Sequence, residues 1–149
     1  MDLILWRHAE AQEWTPGCDD MARRLTARGE KQAKRMAAWL DRQLPDNTRI
    51  LVSPAVRTEQ TANALKRKFK IRPELVPGAT VAQLLELVQW PQAKGCVLVV
   101  GHQPTLGQTI ADLIGLQARE CPVKKGAVWW LHQRQNETGV LTVQSPDLL

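Results

Sequence analysis

Several features that are common in other protein classes are missing from this 149-residue sequence. Cysteine is scarce: Cys18, Cys96 and Cys121 stand far apart and form no C-x-x-C pair, which argues against a disulfide framework and favours a reducing compartment. No apolar run approaches the roughly 18 residues of a membrane span, and the N-terminal run is too short for a signal peptide. We therefore expect a soluble, cytoplasmic protein that does not insert into a membrane.

Glycine-rich nucleotide loops and metal-ligand spacings are also missing. The sequence contains neither a P-loop nor the glycine pattern of dinucleotide-binding proteins, and its three histidines have no paired cysteine or carboxylate at a metal-binding spacing. The net charge is +5, but the basic residues are scattered and form no stripe interleaved with aromatic residues. These patterns predict no cofactor, no bound metal and no nucleic-acid partner, and they leave a general attraction for anions.

What is present is an average globular composition, with 44% hydrophobic and 23% charged residues. We expect one domain over residues 1–149, because no linker or repeat divides the chain. Continuous apolar runs at residues 3–6, 49–53 and 96–101 predict strands that are buried on both faces. Residues 128–131 and 140–143 predict a terminal hairpin that turns at residues 136–139.

Helical patterns lie between these runs. Thr26 is a suitable N-cap for a helix that extends to residue 44, and a shorter helix is predicted over residues 81–88. A second helix is predicted to begin with Ser53 as N-cap and Pro54 in its first turn, and to end in the basic run 66–70. Another should begin near Pro104. Strands that alternate with helices indicate a layered α/β domain.

Unusual polar residues follow three of the predicted strands. Arg7 and His8 follow the first strand, Arg57 lies in the first turn after the second, and His102 follows the third. In open α/β sheets, ligands bind at the carboxyl ends of the strands. If these strands run parallel, the four side chains meet at one edge of the sheet.

This set of residues suits the binding and transfer of a phosphoryl group. The planar guanidinium groups of Arg7 and Arg57 match the oxygens of a dianion, and a neutral His8 is a competent nucleophile towards phosphorus. His102 is expected to stabilise the transferring group as an imidazolium, with its charge induced by the bound anion. We therefore predict that His8, Arg7, Arg57 and His102 are catalytic and that Arg7, Arg57 and His102 bind the substrate. The residues alone do not distinguish a phosphomonoester from a phosphoramidate.

Four short motifs carry a family resemblance, and they follow one another in one order between residues 3 and 107. They are Arg7-His8-Ala9, Leu25-Thr26-Ala27-Arg28-Gly29, the block from Ser53-Pro54 through Arg57 to Gln60-Thr61-Ala62, and Gly101-His102-Gln103-Pro104. This pattern resembles the histidine phosphatase superfamily, which is also called phosphoglycerate mutase-like. The resemblance implies a three-layer α/β/α sandwich around a mostly parallel sheet, a metal-independent phosphatase, and a covalent phosphohistidine intermediate on His8.

Within that superfamily the sequence is most similar to the small SixA-type phosphohistidine phosphatases. Ala9 in place of glycine and Ser145-Pro146 near the C-terminus fit that branch, and residues 73–95 leave little room for an inserted subdomain over the pocket. The resemblance implies that the substrate is a phosphohistidine on a protein such as a histidine phosphotransfer domain, with phosphate or other anions binding in the same pocket.

The absence of an obvious general acid points the same way. Enzymes that cleave phosphate esters usually protonate the leaving oxygen with a carboxylic acid, whereas imidazole is a better leaving group. The sequence predicts that each candidate carboxylate is a solvated charge; the candidates are Glu10, Glu13, Asp19, Asp20 and Glu86. Cleavage of an N–P bond depends less on a general acid than cleavage of an alcohol phosphate does.

Other interpretations stay open at this point. A broad-specificity phosphatase acting on small molecules or phosphopeptides would use the same pocket. A non-catalytic phosphate-binding module would have the same pocket but would not carry out the reaction. Gln103, Thr105 and Arg28 are further candidates for the lining of the pocket.

Overall fold

A computed structural model describes all 149 residues and contains six strands and four helices. The strands are β1 (Asp2–Arg7), β2 (Arg49–Val52), β3 (Lys70–Ile71), β4 (Cys96–Gly101), β5 (Val128–Arg134) and β6 (Glu137–Gln144). The helices are α1 (Ala27–Gln43), α2 (Val56–Asn63), α3 (Val81–Val88) and α4 (Thr105–Ile114). None of the helices is long and apolar enough to cross a membrane.

The strands form one sheet in the order β3-β2-β4-β1-β5-β6. The pairs β3–β2, β2–β4 and β4–β1 are parallel, whereas β1–β5 and β5–β6 are antiparallel. The prediction of a mostly parallel sheet is therefore confirmed. Since β1, β2 and β4 run in one direction, their carboxyl ends share one edge of the sheet.

Helices cover both faces of this sheet. Successive side chains of β1 point to opposite faces, so that Trp6 packs in a core layer with residues of α1 and α2 while Leu5 packs in another with residues of α3 and α4. Every residue of β4 is buried, as expected of a central strand between two helical layers. The predicted three-layer α/β/α sandwich is confirmed.

The predicted start of α1 is also confirmed. The Thr26 hydroxyl accepts a hydrogen bond from the Gly29 amide at 3.0 Å, as an N-cap should. At α3, Thr80 and Gln83 form a reciprocal capping box, and the helix occupies residues 81–88 as predicted.

The predicted bounds of α2 are wrong at both ends. The helix begins at Val56 rather than after Ser53, because the Ser53 hydroxyl is hydrogen-bonded to His102 at 2.7 Å instead of capping the helix. It ends at Asn63, before the basic run. Arg67 in that run donates to the Leu44 carbonyl at 3.3 Å, so this cation serves the C-terminus of α1 and not that of α2.

Two further differences concern short connections. The hairpin turns at Gln135 and Asn136, which have φ angles of 52° and 62°, whereas residues 137–139 belong to β6. A two-residue turn with positive φ at both positions matches the twist of a hairpin, so the predicted turn was placed too late. Strand β3 was not predicted, because two residues carry no periodic pattern.

Candidate active site

The carboxyl ends of β1, β2 and β4 bring the two predicted histidines together. The His8 amide donates to the Gly101 carbonyl at 3.1 Å, and the Ser53 amide donates to the Val100 carbonyl at 3.1 Å. These bonds extend the parallel pairing one residue beyond the strands. As a result, the rings of His8 and His102 lie 5.4 Å apart between their centroids.

The hydrogen bonding of His8 fixes its tautomer. Its Nδ1 lies 2.7 Å from the Ala9 carbonyl oxygen. A carbonyl oxygen only accepts, so Nδ1 carries the proton and Nε2 holds a free electron pair in the neutral ring. This leaves Nε2 as the nucleophilic atom.

Burial and neighbouring cations keep His8 neutral. His8 is only 7% exposed, and this burial is the largest cause that lowers its pKa to about 4. The Ala9 carbonyl opposes the shift, while the positive charges of Arg57 and Arg7 add to it. At neutral pH the imidazole is therefore unprotonated without the help of a general base.

His102 is oriented by a different contact. Its Nε2 is hydrogen-bonded to the Ser53 hydroxyl, whereas its Nδ1 is buried and has no partner. Burial is again the largest cause that lowers the pKa of His102, to about 3, with smaller contributions from His8 and Arg57. His102 is thus neutral in this state, and the positive charge predicted for it requires a bound anion to induce it.

The two arginines are each held through a backbone carbonyl. Arg7 donates from Nη1 to the Val123 carbonyl at 2.7 Å, and Arg57 donates from Nη1 to the Asp20 carbonyl at 2.7 Å. Both side chains keep a buried Nε that has no hydrogen-bond partner. Each guanidinium is therefore anchored at one edge, with a donor left over at Nε.

Unpartnered buried atoms concentrate at this site. The protein has four buried side-chain nitrogen atoms without a partner, and three of them are Arg7 Nε, Arg57 Nε and His102 Nδ1. The fourth is Nδ1 of His132 on β5. Leaving a buried donor unpaired costs about 1–3 kcal/mol, so the two guanidinium Nε–H donors indicate a binding site for a ligand that is rich in acceptors.

Asp20 has a larger part in the site than the sequence indicated. Its carboxylate accepts from Arg57 Nη2 at 3.1 Å and from Arg23 Nε at 3.0 Å, so the prediction of a merely solvated charge is wrong. Although partial burial opposes it, hydrogen bonds from Arg23 and Arg57 hold the pKa of Asp20 below its ordinary value. Asp20 is ionised, and it cannot serve as a general acid.

Arg23 is a third cation beside the pocket that sequence reasoning missed. Its charge contributes to the lowered pKa values of both His8 and His102. The spacing of Asp20 and Arg23 by three residues is a signal that could have indicated this pair. Nothing in the sequence links the pair to Arg57.

The other candidates from the sequence are engaged elsewhere. Glu10 accepts from the Thr26 hydroxyl at 2.7 Å, and Arg28 is an exposed side chain 3.9 Å from Glu10. The Gln103 side chain bonds the Gly107 amide and the Cys121 carbonyl, and the Thr105 hydroxyl donates to the Ala79 carbonyl.

The remaining candidate carboxylates are exposed, as predicted: Glu13, Asp19 and Glu86. No three His, Cys, Asp or Glu side chains lie together so that they could hold a metal ion.

Gly29 explains one of the sequence motifs. A Cβ at this position would lie 1.9 Å from the Glu10 carbonyl oxygen, so only glycine lets the segment after His8 lie directly on α1. The Thr26 amide donates to the same carbonyl at 3.0 Å. The Leu-Thr-x-x-Gly motif therefore fixes the path of the chain that leaves the site.

The fold and this edge define an α/β protein in which two histidines and two arginines lie at the carboxyl ends of the parallel strands. The profile of the histidine phosphatase superfamily (branch 1) matches residues 3–80. The chain is 32% identical over 130 residues to the phosphohistidine phosphatase SixA homolog of Haemophilus influenzae, covering 77% of this chain and 78% of that protein. It is also 32% identical over 121 residues to the phosphohistidine phosphatase SixA of Escherichia coli, covering 76% and 74%.

A solved structure agrees with these relatives. The protein histidine phosphatase SixA in complex with tungstate superimposes with a TM-score of 0.84 at 25% sequence identity, covering 99% of both chains. The chain belongs to the histidine phosphatase superfamily, as the motifs indicated.

Proposed function

We propose that this protein removes the phosphoryl group from phosphohistidine on a protein, through a transient phosphohistidine at Nε2 of His8. The observation that carries the proposal is the group of three unpartnered buried nitrogens beside His8. Two charged guanidinium donors and an imidazole suit the oxygens of a phosphoryl dianion.

The chemistry proceeds in two displacements. In the first, the Nε2 electron pair of His8 attacks phosphorus in line and forms a new N–P bond, while the N–P bond of the substrate breaks. The substrate ring, whose other nitrogen carries a proton, leaves as neutral imidazole and keeps the electron pair of the broken bond. In the second, water attacks the phosphorus on His8, the new N–P bond breaks, and neutral His8 returns. The water protons remain with inorganic phosphate and the solvent. Arg7 and Arg57 stabilise the phosphoryl oxygens in both steps.

The ionised state of Asp20 supports an N–P substrate. The Asp20 carboxylate, which contacts Arg57 of the proposed site, is paired with two arginines and holds no proton to donate. An alkoxide leaving group would need such a proton. A phosphorylated imidazole that carries a proton on its other nitrogen leaves as neutral imidazole, the conjugate base of an acid with a pKa near 6.5, and so needs no further acid.

A protein substrate fits the small size of the region that covers the pocket in larger relatives. Between β3 and β4 the chain forms only a short 3₁₀ turn, Pro73–Leu75, and helix α3. We propose a histidine phosphotransfer domain or a similar phosphohistidine protein as the partner, with phosphate and other oxyanions as ligands of the same pocket. The unpaired cysteines fit a cytoplasmic location.

The test measures phosphate release from a phosphohistidine-bearing phosphotransfer domain in the presence of a chelator. We expect His8→Ala to lower the rate by about 10³-fold or more, and the chelator to have no effect on the wild type. His132→Ala on β5 is the matched control and should stay close to the wild type. A nearly active His8→Ala variant would refute the mechanism. Activity on an aryl phosphate alone would favour a broad-specificity phosphatase instead.

A further inference from the structure

A short turn with two exposed lysines lies against the pocket. Lys124 and Lys125 occupy the segment from Val123 to Ala127, which we name the lysine turn. Arg7 donates from Nη1 to the Val123 carbonyl at 2.7 Å and from its amide to the Ala127 carbonyl at 3.1 Å. The turn is therefore bonded at both ends to a residue of the proposed site.

Further bonds hold the turn in one shape. The Gly126 amide donates to the His8 carbonyl at 3.0 Å, and Trp6 donates from its indole to the Gly126 carbonyl at 3.1 Å. The Ala127 amide donates to the Lys124 carbonyl at 3.0 Å. The backbone that carries the two lysines is thus fixed relative to His8.

The lysine turn differs in charge from the opposite side of the pocket. There, Arg23 and Arg57 are paired with Asp20, and Arg28 lies close to Glu10. Lys124 and Lys125 are exposed, and neither belongs to an ion pair. Their charges are available to a partner.

The depth of the site determines what such a partner must do. His8 is 7% exposed and His102 is 3% exposed, so a phosphorylated side chain has to project into the pocket. The protein surface around that side chain is then brought against the mouth, next to the lysine turn.

We infer that Lys124 and Lys125 form a docking surface for an acidic face beside the phosphohistidine of the partner domain, an inference that rests on the proposed function. Complementary charge raises association rates and selects partners, and its effect falls with ionic strength. The Debye length of about 8–10 Å at physiological salt still allows lysines at the mouth to act on an incoming acidic surface.

The experiment compares two double variants with the same change in charge. Lys124→Glu with Lys125→Glu alters the lysine turn. Lys68→Glu with Lys94→Glu alters two exposed lysines that precede β3 and β4, at the opposite edge of the sheet. Each pair is assayed on a phosphohistidine-bearing phosphotransfer domain and on phosphoramidate, at low and at high salt.

We expect the lysine-turn variant to lower kcat/KM on the protein substrate by about tenfold or more at low salt, and on phosphoramidate by no more than about threefold. The control pair should change neither, and high salt should remove most of the difference. Lys124→Gln with Lys125→Gln, which removes charge without reversing it, should give an intermediate loss. Thermal unfolding of each variant checks that the fold is intact.

Three outcomes would contradict the proposed docking surface without affecting the proposed function. They are no loss of kcat/KM on the protein substrate, an equal loss on both substrates, and an equal loss in the control pair. The first would show that the lysines are not used, the second that they act on the phosphoryl group itself, and the third that only net charge matters. A wild type that cleaves phosphoramidate but not the phosphorylated domain would refute the proposed function, and the docking surface with it.

Discussion

A backbone carbonyl holds the arginine on each side of the pocket, but a side-chain carboxylate contributes on one side only. On one side, the segment of residues 10–26 between β1 and α1 anchors Arg57 through both the backbone carbonyl and the side-chain carboxylate of Asp20. On the other side, the lysine turn holds the Arg7 guanidinium through the Val123 carbonyl and the Arg7 amide through the Ala127 carbonyl, both of them backbone groups. One side therefore depends on a particular residue, whereas the other depends on the path of the backbone.

This difference decides how each side responds to substitution. A single side-chain change can weaken the anchor of Arg57, because a carboxylate is part of it. No side-chain change at Val123 removes the carbonyl that anchors Arg7. Substitutions at Asp20 and at the two arginines should therefore differ in the size of their effects.

The largest effect is expected when either guanidinium is replaced. Lysine has one ammonium head, which cannot hold the anchoring carbonyl and present a second fixed donor at the position of Nε. We expect Arg7→Lys and Arg57→Lys each to lower kcat/KM on a phosphohistidine substrate by about 10² to 10³-fold, the usual cost of losing a donor to a transferring group. Steady-state rates with thermal unfolding as a folding check provide the measurement.

Arg35→Lys is the matched control for these variants. Arg35 on α1 also donates from Nη1 to a backbone carbonyl, that of Pro146 at 3.3 Å, but it does not belong to the proposed site. Its replacement should leave kcat/KM within about twofold. If either site variant behaved like Arg35→Lys, that arginine would not be a ligand of the phosphoryl group.

Protonation of His8 and His102, which lie between the two sides, is expected to have the next largest effect, a loss of free energy of unfolding. The folded pKa values of about 4 for His8 and about 3 for His102 lie below the unfolded value near 6.5. Between these limits the unfolded chain binds protons that the folded protein does not. The contribution of the neutral histidines to the free energy of unfolding is therefore fully present above pH 6.5. As the pH falls from there towards the folded pKa, each histidine lowers that free energy by up to about 1.4 kcal/mol per pH unit.

His102→Gln tests this linkage, because the amide can still bond the Ser53 hydroxyl but does not titrate. Between pH 7.5 and pH 5, we expect the free energy of unfolding of the variant to fall by about 2 kcal/mol less than that of the wild type. Urea unfolding across this range measures the difference, and carboxylates cancel because both proteins contain them. Parallel pH profiles for the two proteins would show that folding does not lower the pKa of His102.

The same contrast between side-chain and backbone contacts explains how far the sequence could predict the structure. Buried strands were predictable because apolar runs mark them, and Thr26 marked the start of α1. Ser53 gave a misleading signal, since its hydroxyl is used by His102, 49 positions away in the sequence. The bond from Arg57 to Asp20 spans 37 positions, and no local pattern indicates it.

The proposed site was predictable to the extent that side chains build it. Arg7 ends β1, His8 and His102 directly follow β1 and β4, and Arg57 lies in the first turn of α2 after β2. The parallel order of these strands brings the four residues to one edge. The Val123 carbonyl could not be predicted, because any residue at that position would offer the same oxygen. Sequence reasoning therefore found the proposed groups that act on phosphate, and it missed the groups that hold them in place.

The smallest effect sharpens the comparison most, because it alters one anchor and leaves the other intact. Asp20→Asn keeps the backbone carbonyl bond to Arg57 but replaces the ion pairs with Arg57 and Arg23 by neutral contacts. Since the Asp20 side chain is 43% exposed, solvent weakens these ion pairs, and we expect kcat/KM to fall by no more than about tenfold. Asp19→Asn is the control: the Asp19 side chain caps the Met21 amide at 3.0 Å, does not contact Arg57, and undergoes the same change in charge.

Anion affinity separates two explanations for such a loss. If Asp20 positions Arg57, tungstate should bind Asp20→Asn more weakly than the wild type, even though the pocket has become more positive. If Asp20 only competes with the ligand for Arg57 and Arg23, removing its charge should strengthen tungstate binding. Tighter binding in Asp20→Asn would therefore contradict the anchoring role assigned to this side of the pocket, and the two sides would then differ in charge but not in how they hold an arginine.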